Sequence, residues 1–326
     1  MSKYLITGLC GFAGPHLANL LYEKGHKIYG LIRRENGLES DILDTVSQEC
    51  FDSIEFIKCD FTDYYVVERV FKEYKFDGVF HLGAMSLPPQ SFIDPLGTFK
   101  TNIMGSANII QAITAHQPKC KLLFVSTSEV YGNSITEGEK IKETDKLCPS
   151  NPYGVSKAAI DLYMQERMAN KKIKGCIVRP FSYTGIRRGK NFSISCDAFQ
   201  VGKIMKKMQV PIIKVGNLHT IRTVIDVRDV VYAWYLLMGL PDSDGEIFNI
   251  CGDIPRKMSF FTDYLIKLAG GDIRKVVDKN LWRPIDIQYQ CGDVSKLKEL
   301  TGWKSKIPIK ETLESLLNYW LKKLGE

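Results

Sequence analysis

The chain lacks several features that would point to a membrane, a secretory pathway or a metal centre. No apolar run approaches the ~18 residues of a membrane-spanning helix, and the apolar stretch before Gly8 is too short for a signal peptide. The nine cysteines stand singly, without a Cys-x-x-Cys pair, and the five histidines are equally dispersed. The sequence therefore predicts a cytoplasmic protein with no metal site and no membrane partner.

The charge balance is basic, with a formal net charge of +7. A solvated basic surface and the attraction of anionic, phosphorylated ligands both account for this charge. The densest basic runs, 171–174 and 203–207, have no interleaved aromatic residues on which nucleic-acid bases would stack. We therefore expect no nucleic-acid partner.

Short apolar runs alternate with longer amphipathic stretches through the first half of the chain, which predicts an α/β fold with a doubly wound parallel sheet. The predicted strands are 4–7, 27–32, 54–59, 78–82, 121–126 and 175–179. The predicted helices are 16–24, 64–74, 98–116 and 152–170. The last two carry enough apolar surface to pair with further copies of the chain, so we expect a homodimer or homotetramer.

The pattern changes after Pro180, where helical signals stand among loops. The segments expected to return to the first domain are 223–226, 230–238 and 247–250. We predict a first domain of residues 1–181 with 223–252, and a smaller, discontinuous α+β domain of residues 182–222 with 253–326.

Four residues indicate acid–base chemistry on an alcohol. Tyr153 and Lys157 are four positions apart in a predicted helix, so they share one face. An ammonium beside a phenol favours the phenolate, which predicts a Tyr153 pKa well below the ordinary ~10. Thr127 follows the fifth predicted strand and supplies a hydroxyl to the reacting alcohol. Glu129 adds a carboxylate that alcohol oxidation does not need, which indicates a second acid–base step. The alternative is that Glu129 only caps a turn or faces solvent.

The first predicted strand runs into Gly8, Gly11 and Gly14, and a helix follows. Glycines at this spacing allow a tight turn and a close approach to a pyrophosphate, which the helix N-terminus faces. Because the triplet lies between a strand and a helix, it predicts a dinucleotide site.

Two arginines, Arg33 and Arg34, follow the second predicted strand. Their guanidinium groups suit a 2′-phosphate, which favours NADP; arginines that face solvent and an NAD cofactor stay open. Asp60 follows the third strand, where its carboxylate can accept a hydrogen bond from the adenine amino group.

Together these motifs resemble the extended short-chain dehydrogenase/reductases that act on nucleotide sugars, over nearly the whole chain. The segments Ser126-Thr127-Ser128-Glu129 and 187–192 are similar to those of GDP-mannose 4,6-dehydratases and the related GDP-4-keto-6-deoxymannose reductases. The resemblance implies a Rossmann domain that binds NADP. The residues it implies at the cofactor are Gly8, Gly11, Phe12, Gly14, Arg33, Arg34, Asp60, Phe61, Leu82, Ala84, Tyr153 and Lys157.

The resemblance also implies a reaction. Tyr153 would take the proton of the sugar C4 hydroxyl as hydride passes to the nicotinamide, with Thr127 bonded to O4 and Lys157 holding the nicotinamide ribose. Glu129 would then remove the C5 proton as water leaves from C6, and the hydride would return to C6.

The substrate-binding residues implied by the resemblance extend into the second domain. They are Ser86, Ser128, Ser182, Asn217, Arg222, Arg283 and Asp286. Arg222 and Arg283 are expected at the diphosphate, because a guanidinium fork suits bidentate phosphate contacts. Asn217 and Asp286 are expected at the nucleoside.

The chain departs from the family's pattern around the sugar. Ser182 stands where relatives usually have asparagine after Arg-Pro-Phe, and Met85-Ser86-Leu87 replaces the usual Gln-Ser-His. These changes predict a substrate modified near C5 or C6, GDP-heptose in place of GDP-mannose. Three activities stay open: a GDP-sugar 4,6-dehydratase, a C4 dehydrogenase, 4-keto reductase or epimerase, and a cofactor-binding regulatory protein without catalysis.

Overall fold

The structure is a computed structural model that describes residues 1–33, 42–134, 138–282 and 285–325. The strands are β1 Lys3–Thr7, β2 Lys27–Ile32, β3 Glu55–Lys58, β4 Gly78–His81, β5 Lys121–Val125, β6 Lys174–Pro180, β7 Ser182–Thr184, β8 Ile212–Val215, β9 Ile221–Asp226, β10 Ile247–Ile250, β11 Pro255–Lys257, β12 Arg274–Val277 and β13 Tyr289–Gln290. The helices are α1 Ala13–Glu23, α2 Gln48–Ser53, α3 Tyr64–Glu73, α4 Pro88–Ile93, α5 Pro95–Phe99, α6 Ser106–His116, α7 Pro152–Ala169, α8 Ser193–Met205, α9 Val227–Gly239, α10 Met258–Leu268, α11 Ser295–Thr301 and α12 Ile309–Lys323. A π-helical segment, Lys100–Gly105, joins α5 to α6.

Among the described residues, seven parallel strands form the main sheet, in the order β10-β6-β5-β4-β1-β2-β3. From β1 the chain moves outward to β2 and β3, then crosses back to β4 and continues to the other edge. The predicted α/β class with a doubly wound parallel sheet is therefore confirmed. Because the direction reverses between β1 and β4, their carboxyl ends border the crevice in which such sheets bind ligands.

Apolar side chains pack on both faces of this sheet. On one face α1 and α9 contribute Leu17 and Trp234, and both are fully buried. On the other face α3, α6 and α7 contribute Val67, Ile110 and Met164. Burial of large apolar side chains stabilises each face by about 1.5–3 kcal/mol per residue, so the strand ends that carry the site are rigidly supported.

The prediction of one continuous helix over 98–116 is wrong. This part of the chain consists of the end of α5, the π-helical segment and α6, one after another. The π turn contains the buried Asn102, whose Oδ1 accepts from the Met85 backbone N–H at 2.8 Å. Its Nδ2 donates to the Met85 carbonyl at 3.1 Å and to Ser156 Oγ at 2.9 Å. These bonds stabilise an irregular turn that apolar spacing does not reveal, and they tie the chain after β4 to α7.

The strand β9 does not join the main sheet. It pairs with β11, β13 and β7 in a separate four-stranded sheet, and β8 pairs with β12. Its side chains alternate between two cores: Val224 packs with α8, α10 and α12, whereas Ile225 packs beneath the main sheet. The segment 223–226 therefore lies at the boundary between the lobes, and the bounds of the two domains stay a prediction.

The other two segments lie with the first domain. Helix α9 packs against α1, and β10 extends the main sheet beside β6. Across the described ranges, no helix combines the length and the apolar character needed to cross a bilayer.

Candidate active site

The turn after β1 requires glycine for steric reasons. Gly8 has φ +71°, and a Cβ on it would lie 2.8 Å from the backbone nitrogen of Gly83, after β4. A Cβ on Gly14 would overlap the carbonyl of Leu9. The turn therefore brings backbone from two strand ends into close contact at the N-terminus of α1, as a pyrophosphate cradle requires.

Buried hydrogen bonds hold the ends of β1 and β4 together. Thr7 Oγ1 lies 2.6 Å from His81 Nδ1 and accepts from the backbone N–H of Gly83 at 3.0 Å. His81 Nε2 lies 2.8 Å from Ser106 Oγ, at the start of α6. Burial lowers the pKa of His81 to about 3, so the imidazole is neutral and supports the turn without adding charge.

Helix α7 is anchored to the sheet by a buried ion pair. Arg179 on β6 donates to both oxygens of Asp161, at 2.8 and 2.9 Å, and its Nη1 donates to the Tyr131 hydroxyl at 2.8 Å. Asp161 also accepts from Ser126 Oγ at 2.6 Å. Because Ser126 precedes Thr127, the network fixes the predicted hydroxyl relative to the helix that carries Tyr153.

The side chains of Tyr153 and Thr127 share a hydrogen bond. The prediction of a Tyr153 pKa near neutrality is wrong for this structure, because burial raises that pKa above its ordinary value. Glu129 also raises it through its charge, while the Thr127 hydrogen bond and the Arg188 charge lower it. The cation that favours the phenolate here is therefore Arg188.

Lys157 lies one helical turn after Tyr153, and both border the same cavity. Its Nζ lies 4.3 Å from the centroid of the Phe124 ring. Burial lowers the pKa of Lys157 to about 7, although the charge of Asp161 raises it. The amine is therefore only partly charged near neutral pH.

Glu129 borders the cavity, in a 3₁₀ turn directly after Thr127. Its Oε2 accepts a hydrogen bond from Asn151 Nδ2 at 2.7 Å. The Oδ1 of the same amide accepts from the Gly154 backbone N–H at 2.8 Å and caps α7. Sequence reasoning missed Asn151, although an Asn-Pro pair before a helix is a recognisable N-terminal signal.

The four candidate catalytic residues Thr127, Glu129, Tyr153 and Lys157 border one cavity of about 780 Å³ between the two lobes. The predicted residues at its edge are Gly8, Gly11, Phe12, Gly14, Leu82, Ala84, Ser86, Thr127, Ser128, Glu129, Tyr153, Lys157, Ser182, Asn217, Arg222 and Asp286. This volume lies in the range of small-molecule and cofactor sites. No group of three His, Cys, Asp or Glu side chains arranged to hold a metal ion occurs in the described ranges.

Five predicted residues are not placed in the cavity. Arg34 and Arg283 lie outside the described residues. Arg33, Asp60 and Phe61 are described, but they are not among the residues at the cavity edge. Their assignment to the cofactor stays a prediction.

Two of these side chains, those of Asp60 and Phe61, make contacts within the protein. Asp60 Oδ1 accepts from the Thr62 backbone N–H at 2.9 Å and from its hydroxyl at 2.8 Å, and the backbone bond holds the pKa of Asp60 below its ordinary value. The Phe61 ring packs edge-on to His81, 5.7 Å between centroids. Both side chains therefore shape the chain after β3.

The predicted nucleotide residues of the second lobe lie together. Asn217 Nδ2 donates to Asp286 Oδ2 at 3.0 Å, and Arg222 Nη2 lies 3.8 Å from Asp286 Oδ1. Arg222 also donates to the carbonyls of Ile221 and Ile287, at 2.8 and 2.6 Å. The guanidinium is thus held at the cavity edge by backbone acceptors.

Arg188 lies among aromatic rings where the two lobes meet. Its guanidinium carbon is 3.4 Å from the centroid of Phe192 and 4.7 Å from that of Phe12, the residue that precedes α1. It also shares a hydrogen bond with the Tyr183 side chain, and burial lowers the pKa of Arg188. The resemblance to known enzymes points to this segment, but not to its effect on Tyr153.

Comparison with known proteins supports a nucleotide-sugar site. The family model described as GDP-mannose 4,6 dehydratase matches residues 5–316. A GDP-6-deoxy-D-mannose reductase from Pseudomonas aeruginosa is 27% identical over 327 residues, 99% of each chain. A GDP-mannose 4,6-dehydratase from Vibrio cholerae is 26% identical over 343 residues, 95% of this chain and 91% of that protein.

A solved structure also matches along the whole chain. It is RMD from Pseudomonas aeruginosa complexed with NADPH, with a TM-score of 0.84 and 25% identity, covering 99% of this chain and 100% of that one. Because a reductase and a dehydratase both occur among the relatives, similarity does not choose between the two reactions.

Proposed function

Since the chain belongs to the GDP-mannose 4,6 dehydratase family, we propose that it is a GDP-sugar 4,6-dehydratase that converts its substrate to the 4-keto-6-deoxy sugar. The observation that carries this proposal is Glu129 in the same cavity as Thr127, Tyr153 and Lys157. Oxidation or reduction at C4 needs a hydroxyl, a phenol and an amine, whereas loss of water needs a further base for the C5 proton.

NADP is the proposed cofactor, and the turn around Gly8 fits it because backbone from two strand ends closes where a Cβ would intrude. When bound, a nicotinamide accepts a hydride from C4 and returns it to C6. The residues proposed to hold it are those of the glycine turn together with Leu82, Ala84 and Lys157. NAD is the alternative cofactor, for the case that Arg33 and Arg34 face solvent instead of a 2′-phosphate.

The protein's own residues perform the proton transfers in this proposal. Tyr153 takes the O4 proton as the C4–H bond breaks, acting as the phenolate that the Arg188 charge and the Thr127 hydrogen bond favour. Thr127 donates a hydrogen bond to the developing carbonyl. The 4-ketone acidifies C5–H; Glu129 takes that proton and gives a proton to the C6 hydroxyl, which leaves as water. The proton that Tyr153 took from O4 then passes to C5 as C6 receives the hydride. C4 stays a ketone, Tyr153 and Glu129 regain their starting protonation states, and the net change is the loss of one water.

Asn151 explains how Glu129 is held in position for this step. Its amide donates to the carboxylate while its carbonyl caps α7. The N-terminus of α7 therefore positions both Glu129, through Asn151, and Tyr153, which directly follows Pro152. A fixed separation between two proton-transfer groups is what a reaction at neighbouring carbons requires.

The second lobe is proposed to hold the GDP-sugar, with Arg222 at the diphosphate and Asn217 and Asp286 at the nucleoside. Around the sugar, Ser86 and Ser182 border the cavity beside Leu87. Further apolar edge residues of the cavity are Pro88, Pro89 and Phe92. We propose GDP-heptose as the preferred substrate because Met85, Leu87 and Ser182 replace the family's usual polar contacts to the sugar. A strong preference for GDP-mannose in turnover assays would contradict it.

The alternative function is a GDP-4-keto sugar reductase, favoured by the 27% identity to the Pseudomonas aeruginosa reductase. Glu129→Gln separates the two reactions. For a dehydratase we expect turnover to fall by about 100-fold or more, the usual contribution of a general base, measured as the mass of the sugar product. For a reductase, NADPH-dependent reduction of a 4-keto substrate would continue near the wild-type rate.

The matched control is Glu166→Gln. Glu166 is an exposed carboxylate on α7, paired with Arg167, and lies outside the cavity. The variant should keep full dehydratase activity. Wild-type product formation by Glu129→Gln would remove the carboxylate from the mechanism and with it the case for a dehydratase.

A homo-oligomer is proposed as the assembled form. Exposed apolar side chains lie along α4, α5, the π-helical segment and α7: Ile93, Leu96, Met104 and Leu162. An apolar surface spread over adjacent helices is typical of contacts between copies of one chain.

A further inference from the structure

A buried carboxylate of the second lobe borders the cavity, and the proposed dehydration does not use it. Asp197 lies on α8 with a side chain that is 4% exposed. Its Oδ2 accepts a hydrogen bond from Thr262 Oγ1 on α10, at 2.6 Å. Within the described ranges Thr262 is the hydrogen-bond donor that this carboxylate has, whereas buried carboxylates ordinarily have several.

Hydrogen bonds tie the helix of Asp197 to β8, which also borders the cavity. Gln200 lies on the next turn of α8. Its Nε2 donates to the Lys214 carbonyl on β8 at 2.9 Å, and its Oε1 accepts from the Lys214 backbone N–H at 2.8 Å. Beyond β8, a Cβ on Gly216 would lie 3.3 Å from the carbonyl of Leu281. Lys214, Gly216 and Trp282 border the same cavity, and Trp282 is 48% exposed.

The edge of the cavity therefore includes a buried acceptor on α8 and an exposed aromatic ring after β12, whereas Tyr153 and Lys157 belong to the first domain. Aromatic rings stack on nucleobases, and carboxylate oxygens accept from their N–H groups. The arrangement is suited to a planar ligand that presents hydrogen-bond donors at its edge.

We propose that Asp197 selects the nucleobase of the substrate by accepting hydrogen bonds from two adjacent donors. Guanine presents such a pair, N1–H and the 2-amino group, whereas hypoxanthine and uracil each present a single ring N–H. The inference rests on the proposed function for the conclusion that the ligand is a nucleoside-diphosphate sugar. With one bond from Thr262, the carboxylate keeps acceptor sites on both oxygens.

The protonation state of Asp197 provides a second way to test the proposal. Burial raises the pKa of Asp197 to about 7, so near neutral pH the group is partly protonated. Donors on guanine stabilise the ionised form and lower the pKa in the complex. Binding of GDP near pH 7 should therefore release part of a proton from Asp197.

The test is isothermal titration calorimetry of the full chain with GDP, IDP and UDP, comparing wild type, Asp197→Asn and Cys196→Ser. We expect wild type to bind GDP about tenfold more tightly than IDP, the worth of one charge-assisted hydrogen bond. Asp197→Asn should bring the two affinities to within about threefold, because an amide cannot accept from both donors. Cys196 borders the cavity one residue away, and its serine variant should keep the wild-type ratio.

A GDP to IDP ratio unchanged by Asp197→Asn would overturn the proposal, and so would a wild type that binds both equally. Titrations in two buffers of different ionisation enthalpy give the number of protons released when the nucleotide binds. This number is a second readout, independent of the ratio of affinities. The expected result is greater proton release with GDP in wild type than in Asp197→Asn; equal release contradicts the proposal.

Turnover distinguishes this inference from the proposed function. If wild type dehydrates a GDP-sugar but the ratio of affinities does not depend on Asp197, the nucleobase inference alone fails. If the ratio depends on Asp197 but no water is lost from any GDP-sugar, the dehydratase proposal fails and the nucleobase inference stands.

Discussion

Lys157 gives a prediction about stability that does not depend on knowing the substrate. The amine is buried on α7, and burial lowers its pKa from the ordinary 10.5 to about 7. We consider the Lys157→Met variant, which keeps the length and most of the volume of the side chain but removes the titrating group.

The sign follows from the protons bound by each state. Between pH 7 and pH 10.5 the unfolded chain holds a proton on Lys157 that the folded chain has lost, so wild-type stability rises with pH across this window. A shift of this size corresponds to about 5 kcal/mol in total, and to about 2 kcal/mol between pH 7 and pH 9. The methionine variant has no such dependence.

The assay is urea unfolding of both proteins at pH 7 and pH 9. We expect the free energy of unfolding of wild type, relative to Lys157→Met, to increase by about 2 kcal/mol over this interval. Lys75→Met is the control, because Lys75 is exposed on the chain after α3, and this variant should follow the wild-type curve. Parallel curves for wild type and Lys157→Met would refute the burial argument.

Three further predictions follow from the structure. Asp161→Asn leaves the buried guanidinium of Arg179 without its partner and should lower the free energy of unfolding by about 3–5 kcal/mol in urea titrations; a loss below about 1 kcal/mol would contradict the ion pair's role. Gly8→Ala should weaken NADPH binding by about tenfold or more in fluorescence titrations, whereas Gly25→Ala, with a similar φ but no atom within 4 Å, should bind normally; equal effects would show that the backbone contact is irrelevant. Leu162→Glu should shift the protein to a smaller species by light scattering, and an unchanged mass would exclude this surface from the interface.

Much of the first domain was predictable because its signals are local. Short apolar runs identify the six predicted strands of the parallel sheet to within about a residue, since most of these strands are buried on both faces. Gly8 and Gly14 could be identified from their spacing between a strand and a helix, although the residue that a Cβ on Gly8 would meet, Gly83, is distant in the sequence. The cavity likewise contains Thr127, Tyr153 and Lys157, whose spacing reflects one strand end and one helix face.

The features that sequence did not reveal depend on distant contacts. Strand β9 pairs with strands from three separate parts of the chain, and its apolar pattern does not say which sheet it joins. The pKa of Tyr153 depends on burial and on Arg188, which comes from the other lobe. Asn151 reads as an ordinary helix cap until its second bond, to Glu129, is seen.

The most direct test of the central claim is mass spectrometry of the product formed by the wild-type protein from GDP-mannose and GDP-heptose in deuterated water, with only catalytic NADP. If Glu129 acts at C5 as proposed, the product is lighter than its substrate by one water, carries one solvent deuterium at C5, and forms with no net gain of NADPH. A product that keeps the C6 oxygen, or one that appears only in step with NADPH, would contradict the account.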